Sequence, residues 1–142
     1  MRGTYPPKPY RKDCFGSDKA YSFNMTYGYP SKLFVFESPI DCMSHGSLKN
    51  LREQNPYAYL DDGRLSLGGV SGRALECYLK RFTSIKEIVF CLDNDEAGRS
   101  GAEKLADKYG GKGYDVRIEL PSHKDYNEML AAELEQRKVV NG

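Results

Sequence analysis

From Lys32 onward, short apolar runs alternate with longer stretches in which apolar residues recur at helical spacing. Four segments have the pattern of strands: Leu33–Phe36, Leu65–Leu67, Ile88–Leu92 and Tyr114–Leu120. The first and third are continuously apolar, which is typical of strands buried on both faces. The fourth alternates between apolar and polar residues, which predicts a half-exposed strand near a sheet edge.

The connections between these strands have helical patterns. Ser38 is suited to cap a helix with Pro39 at its first position, and this helix is expected to end before Pro56. Three more helices are predicted: about Ser71 to Phe82, from the residues after Asp95 to about Tyr109, and around Tyr126–Leu134. The Asp62-Gly63 pair is compatible with a hairpin between Tyr57–Leu60 and Leu65–Leu67.

The alternation of strands and helices predicts an α/β fold. Helix-length connections give parallel sheets with right-handed crossovers and helices on both faces. We expect a Rossmann-like sheet of about four parallel strands within residues 32–142. Residues 1–31 are rich in Pro, Tyr and basic side chains, with at most a short strand at Ala20–Phe23. We expect this irregular segment to be the junction with a missing upstream domain of a longer protein.

The charge of the chain is balanced overall but unevenly placed. Its 142 residues include 21 Lys and Arg against 20 Asp and Glu, a net charge of +1. Residues 1–32 contain six basic and two acidic side chains, whereas residues 33–142 contain 15 and 18. Such a balance argues against a general polyelectrolyte binder, although it leaves room for a local basic patch.

Cysteine spacing and hydropathy bear on the location of the protein. The four cysteines, at positions 14, 42, 77 and 91, do not have the spacing of a zinc site. The longest uncharged apolar run, Leu33–Phe36, is far too short to cross a bilayer, and no signal peptide opens the chain. We therefore expect a cytoplasmic protein without disulfides or membrane contact.

Acidic residues follow three of the four predicted strands. Glu37 ends the first strand, Asp93 and Asp95 follow the third, and Asp125 follows the fourth, while Gly68-Gly69 follows the second. Because parallel strands all end at one edge of the sheet, the carboxylates are expected to meet there. Clustered carboxylates repel one another unless a cation lies between them.

The residue types at this edge favour a particular kind of cation. Mg²⁺, or Mn²⁺ in its place, prefers carboxylate oxygens, and no His or Cys lies at these strand ends to favour zinc. Each acid alone has a simpler explanation, since Asp is a common helix cap and Glu37 suits a helix dipole. Caps have no reason to gather after buried strands, so the joint arrangement predicts a metal site. Arg99, Lys124 and the Gly68-Gly69 turn are weaker candidates for binding phosphate.

At these positions the sequence resembles the Toprim domain of primases, type IA and type II topoisomerases, OLD-family nucleases and recombination-repair proteins. The resemblance rests on Leu33–Asp41 (LFVFESPID), Leu65–Val70 (LSLGGV), Cys91–Arg99 (CLDNDEAGR) and Lys124–Glu128 (KDYNE). It covers about residues 32–134 and is closest to the primase branch, in particular to primase-like proteins of plasmids and conjugative elements. Ser38-Pro39 departs from the family, in which Gly is common after the glutamate.

The resemblance implies site roles. Glu37 would be the general acid/base and a further metal ligand, Asp93 and Asp95 the principal Mg²⁺ ligands, and Asp125 an additional ligand. The implied function is a Mg²⁺-dependent module acting on nucleic acid, with primase-like nucleotidyl transfer in plasmid or mobile-element DNA replication. Its expected partners are DNA or RNA, nucleoside triphosphates, and an upstream zinc-ribbon and primase-like domain of the same protein.

Three alternatives stay open at this point. One is phosphodiester cleavage as in Toprim nucleases and topoisomerases, and another is a non-catalytic module that binds DNA or a replication partner. The third is a receiver domain, which is disfavoured because its acidic pair should follow the first strand rather than the third. With so low a net charge, the chain alone is expected to hold a duplex too weakly for activity.

Overall fold

The structure, a computed structural model, describes residues 23–68 and 73–141, the last three of these by their backbone alone. Five strands are present: β1 (Asn24–Met25), β2 (Lys32–Phe36), β3 (Gly63–Ser66), β4 (Glu87–Phe90) and β5 (Asp115–Ile118). The helices are α1 (Pro39–Glu53), α2 (Arg73–Arg81), α3 (Glu96–Gly110) and α4 (Tyr126–Asn141), with a short 3₁₀ helix at Ala58–Asp61.

The strands form one sheet in the order β1-β3-β2-β4-β5. β2, β3, β4 and β5 are mutually parallel, and β1 is antiparallel at the edge beside β3. The predicted α/β fold with a largely parallel sheet is therefore confirmed. The parallel part places the carboxyl ends of four strands at one edge, which is where the acidic residues were expected.

Two apolar layers cover the two faces of the sheet. One contains Leu75 of α2 with Leu105 of α3, packed on β2 and β4, and the other contains Cys42 of α1 with Tyr126 of α4. The central strands are buried on both faces, as their continuous apolar runs predict. β5 is mostly exposed at the sheet edge, as its alternating pattern predicts.

The hairpin that the sequence allowed around Asp62-Gly63 is not formed, so this prediction is wrong. Ala58–Asp61 is a 3₁₀ helix, and β3 pairs with β2 and β1 instead. Side chains of the neighbouring elements explain this, because Asn50 accepts a hydrogen bond from the Tyr59 amide (2.9 Å) and Arg64 donates one to the Tyr59 carbonyl (2.7 Å). These contacts fix a helical turn where the sequence pattern was compatible with a strand.

Some expectations fall partly or wholly outside the described residues. These concern most of residues 1–31, Gly69 and the predicted start of a helix at Ser71. The short strand expected at Ala20–Phe23 also lies there except for Phe23, which precedes β1 and accepts a hydrogen bond from the Ser66 amide at 2.8 Å.

The cysteines do not all behave as expected. Cys42 and Cys91 are buried free thiols, but Cys77 is disulfide-bonded. The expectation of a disulfide-free chain is therefore wrong at Cys77. Over the described residues, no helix combines the length and the apolar character needed to cross a membrane.

Candidate metal centre

The site is built where β2, β3 and β4 end. Glu37 follows β2, and its Oε2 accepts a hydrogen bond from the backbone N–H of Asp93, just past β4, at 3.0 Å. The Glu37 carbonyl accepts hydrogen bonds from the Gly68 amide (3.1 Å) and from the Ser66 hydroxyl (3.3 Å) at the end of β3. Three neighbouring strand ends are thus joined through one glutamate.

Helix α3 begins against this junction, at a position that requires a glycine. The Asp95 carboxylate caps the helix by accepting a hydrogen bond from the Gly98 amide at 2.8 Å. A Cβ on Gly98 would overlap the Asp93 carbonyl and lie 3.0 Å from Glu37 Oε2. The absent side chain therefore lets the start of α3 lie directly on the strand end.

Three carboxylates converge beside this junction. Oxygen atoms of Asp41, Asp93 and Asp125 all lie within 4.8 Å of one another, an arrangement that could hold a metal ion. Asp125 also caps α4 by accepting a hydrogen bond from the Glu128 amide at 2.8 Å. Capping engages one carboxylate oxygen and leaves the other, so the explanation as a cap and the explanation as a metal ligand are compatible.

Asp41 belongs to this group, although the sequence reasoning did not single it out. It lies in the first turn of α1 and is only 3% exposed. One oxygen accepts a hydrogen bond from the Ser38 hydroxyl (3.0 Å) and the other from the Asn127 amide (3.1 Å). The available signal was its spacing from Glu37: Asp41 comes four residues later, in the first turn of α1.

The negative charges of the cluster repel one another. Burial raises the pKa of Asp93 to about 7, and the charges of Glu37, Asp41, Asp125 and Asp95 add to the effect. Burial also raises the pKa of Asp41, against the hydrogen bonds that it accepts. In the described part of the chain, no Lys or Arg forms an ion pair with any of these five carboxylates.

This donor set fits a hard divalent cation. Carboxylate oxygens are the ligands that Mg²⁺ and Mn²⁺ prefer, and a cation would relieve the mutual repulsion that the structure leaves unbalanced. Asp41, Asp93 and Asp125 are the residues placed to hold it. Glu37 and Asp95, which were also expected to be ligands, are not among these three residues. Glu37 accepts a hydrogen bond from the Asp93 amide, and Asp95 caps α3 and adds negative charge next to Asp93.

The predicted phosphate-binding residues lie in or next to the segments that carry the carboxylates. Arg99 is exposed and donates a hydrogen bond to Asn94 Oδ1 at 3.0 Å. Lys124 is exposed as well, and its carbonyl accepts a hydrogen bond from the Asn94 amide at 2.7 Å. Gly68 has a φ of +65° and contacts the Glu37 carbonyl, whereas Gly69 lies outside the described residues.

A second group of possible ligands, His45, Cys91 and Glu119, has a different character. Arg64 Nε donates a hydrogen bond to His45 Nδ1 at 3.1 Å. Burial, together with the positive charge of Arg64, lowers the pKa of His45 to about 3. The ring is therefore neutral, with its proton on Nε2, and neither nitrogen has a lone pair free for a metal. Burial also raises the pKa of the Cys91 thiol. His45 and Cys91 thus serve the packing around Arg64, and Glu119 is exposed beside them.

Comparisons with known proteins agree with the fold. The sequence model of the Toprim-like family matches residues 34–130, more than half of the chain. The primase fragment of the bacteriophage T7 primase-helicase protein is similar in structure, with a TM-score of 0.54, 22% identity, and coverage of 81% of this chain and 44% of that one.

A second similar structure is a chain from the bacteriophage T7 lagging-strand DNA polymerase interacting with primase domains bound to an RNA/DNA hybrid and dTTP. It has a TM-score of 0.52 and 21% identity, and the match covers 81% of this chain and 54% of that one. The chain thus spans about half the length of the solved structures it matches. No curated protein matches the sequence significantly.

Proposed function

The chain belongs to the Toprim-like family, and from this premise we propose that it is a Mg²⁺-dependent module acting on nucleic acid. The proposed reaction is primase-like nucleotidyl transfer during DNA replication of a plasmid or other mobile element. The observation that carries the proposal is the meeting of Asp41, Asp93 and Asp125 beside Glu37 at the carboxyl edge of the sheet. Phosphoryl chemistry takes place at such clusters when they hold a divalent cation.

The residues have distinct roles in this proposal. Asp41, Asp93 and Asp125 hold the cation, and Asp95 adds negative charge beside them. When bound, the cation stabilises negative charge that develops on phosphate oxygens. Arg99 and Lys124, both exposed next to the cluster, are placed to bind phosphates of the nucleic acid or of a nucleoside triphosphate.

Glu37 is the proposed general acid/base. Its Oε2 is occupied by the Asp93 amide, which fixes the carboxyl group and leaves the other oxygen for proton transfer. In nucleotidyl transfer, a 3′-hydroxyl oxygen forms a bond to the α-phosphorus of a nucleoside triphosphate and pyrophosphate leaves. The hydroxyl proton passes to Glu37. In cleavage, a water oxygen would instead form a bond to the phosphorus while a P–O bond of the phosphodiester breaks, and a protonated Glu37 would give its proton to the leaving oxygen.

The proposal extends to partners and location. DNA or RNA and nucleoside triphosphates are the substrates it implies, and an upstream zinc-ribbon and primase-like domain would supply the positive surface that this nearly neutral chain lacks. We place such a replication module in the cytoplasm. The balance of charge also leads us to propose that the chain is inactive when separated from that domain.

The substitution Glu37→Gln tests the proton-transfer role. The amide oxygen of Gln can still accept a hydrogen bond from the Asp93 amide, so we expect an unchanged melting temperature and a rate lower by about 100-fold or more. Template-directed incorporation and nicking are assayed side by side, with the chain alone and joined to its proposed upstream domain.

The matched control is Glu87→Gln at the opposite end of the strands, which should retain full activity. Retained incorporation by the Glu37→Gln protein would refute the assignment of Glu37. Nicking without incorporation by the unmodified protein would replace nucleotidyl transfer with cleavage, and neither reaction in the joined protein would favour a non-catalytic binding module.

A further inference from the structure

Asn94 lies between Asp93 and Asp95, yet its hydrogen bonds reach far along the chain. Its backbone N–H donates to the Lys124 carbonyl at 2.7 Å, and its side-chain Nδ2 donates to the Pro121 carbonyl at 3.1 Å. Its Oδ1 accepts a hydrogen bond from Arg99 Nη1 at 3.0 Å. One half-buried residue therefore connects the end of β4, the first turn of α3 and the segment before α4.

The chemistry of these partners fixes the orientation of the Asn94 amide. Arginine only donates hydrogen bonds and a backbone carbonyl only accepts them, so Oδ1 must face Arg99 and Nδ2 must face Pro121. A side chain with acceptors alone could not make both contacts. An Asp at this position would set a carboxylate oxygen against the Pro121 carbonyl.

The segment that Asn94 holds is the one that carries Asp125. Residues 122–124 are exposed on the surface. Among the described residues, no side chain other than that of Asn94 hydrogen-bonds to the backbone of residues 121–125. The position of Asp125 relative to Asp93 thus depends on Asn94 on one side and on α4 on the other.

We propose that Asn94 is a positioning residue, which ties the segment 121–125 to the β4 end and so sets the Asp125 carboxylate against Asp93. This inference rests on the proposed function, in which Asp125 helps to hold a divalent cation. Groups that orient metal ligands through hydrogen bonds commonly change metal affinity by about 10- to 100-fold when they are removed. The same residue also keeps Arg99 beside the carboxylates.

Mn²⁺ titration of the whole chain, followed by electron paramagnetic resonance, tests this role. Asn94→Ala keeps the backbone bond to the Lys124 carbonyl but removes the side-chain bonds to Pro121 and Arg99. We expect it to weaken Mn²⁺ binding by about 10-fold. If Asn94 acts through Asp125, the double variant Asn94→Ala/Asp125→Asn should bind no more weakly than Asp125→Asn alone. Asn50→Ala is the matched control, because it also removes a hydrogen bond between an asparagine side chain and the backbone (here the Tyr59 amide) but lies away from the carboxylates.

Hydrogen exchange supplies a second measurement that does not need the metal. In the metal-free chain, Asn94→Ala should speed the exchange of amides in residues 122–127 while leaving those of β2 unchanged. Asn94→Leu, of similar size but without hydrogen-bonding atoms, gives the same test if the alanine variant folds poorly. Neither effect is expected in Asn50→Ala.

The outcomes separate this inference from the proposed function. Normal Mn²⁺ binding by the Asn94 variants, or an equal further loss when Asn94→Ala is added to Asp125→Asn, would overturn the positioning role alone. A failure of the unmodified chain to bind Mn²⁺ would overturn the proposed function, and with it this role toward the metal.

Discussion

Charged side chains are paired at one end of the parallel strands and unpaired, among the described residues, at the other. At the amino edge, Lys32, Glu87 and Asp115 lie side by side in register, and Glu87 is paired with Lys32 (3.9 Å) and with Arg117 (3.5 Å). At the carboxyl edge, Asp93 is surrounded by four other carboxylates, and none of the five forms an ion pair with a described Lys or Arg.

This difference shows which edge is arranged for stability and which for binding. Partly exposed ion pairs such as those of Glu87 contribute little, typically up to about 1 kcal/mol, and disturb nothing. Clustered carboxylates with burial-raised pKa values are unfavourable for folding and are found where a cation or chemistry requires them. The carboxyl edge is therefore the functional one. A residue at this edge should respond to substitution differently from a matched residue elsewhere in the molecule.

The largest contrast is expected from Asp93→Asn against Glu87→Gln. Loss of a charged ligand from the three-carboxylate group should weaken Mn²⁺ binding by about 100-fold or more (about 2.7 kcal/mol). The same chemical change at Glu87 should leave the affinity unchanged. Isothermal titration calorimetry on the two folded variants makes the comparison, and equal affinities would contradict the assignment of the site.

A second contrast lies between Gly98, in the first turn of α3, and Gly111, which follows its last residue. A Cβ at Gly98 would overlap the Asp93 carbonyl, whereas one at Gly111 would meet nothing nearer than 3.4 Å. Gly98→Ala should therefore destabilise the fold by about 2–3 kcal/mol, and Gly111→Ala by less than about 0.5 kcal/mol. Urea unfolding measures both, and a neutral Gly98→Ala would show that α3 does not press on the strand end.

The pH dependence of stability gives a smaller effect with a definite sign. Because the pKa of Asp93 is raised from 3.8 to about 7, the metal-free folded chain retains a proton in this range that the unfolded chain has lost. The contribution of Asp93 to stability should therefore fall as the pH rises from about 4 to about 7. In the absence of metal, raising the pH from 5 to 8 should lower the melting temperature of the unmodified chain by a few degrees relative to that of Asp93→Asn. This comparison cancels the opposite contribution of His45, whose pKa is lowered to about 3.

Asp93→Asn removes the titration of Asp93, so the fall in stability that this residue causes between pH 5 and pH 8 should be absent from the variant. Mn²⁺ should stabilise the unmodified chain more at pH 8 than at pH 5. Glu87→Gln should keep the slope of the unmodified chain. A slope that survives in Asp93→Asn would place its origin elsewhere in the molecule.

Periodicity in the sequence was enough to predict the parallel sheet, because β2 and β4 are buried on both faces and their apolar runs are unbroken. The position of the acidic edge followed from the parallel direction. Local patterns could not predict that Ala58–Asp61 would form a 3₁₀ helix, since the side chains that hydrogen-bond to its backbone belong to Asn50 and Arg64. The assignment of β3 to a hairpin failed for this reason.

Within the site, the sequence indicated Glu37, Asp93, Asp95 and Asp125 but missed Asp41. An aspartate in the first turn of a helix usually serves the helix dipole at the surface. Only the packing of α1 against α4 buries Asp41 and turns it toward Asp93. The contribution of Asn94 was equally hidden, since the segment that it holds lies 27 residues further along the chain.

The central claim is that Asp41, Asp93 and Asp125 share one cation. A crystal structure of the chain grown with Mn²⁺, with data collected at the manganese absorption edge, tests it most directly. The account predicts one anomalous peak in contact with oxygens of these three residues. A peak elsewhere, for example at His45, Cys91 and Glu119, or no peak between the carboxylates at saturating Mn²⁺, would contradict it.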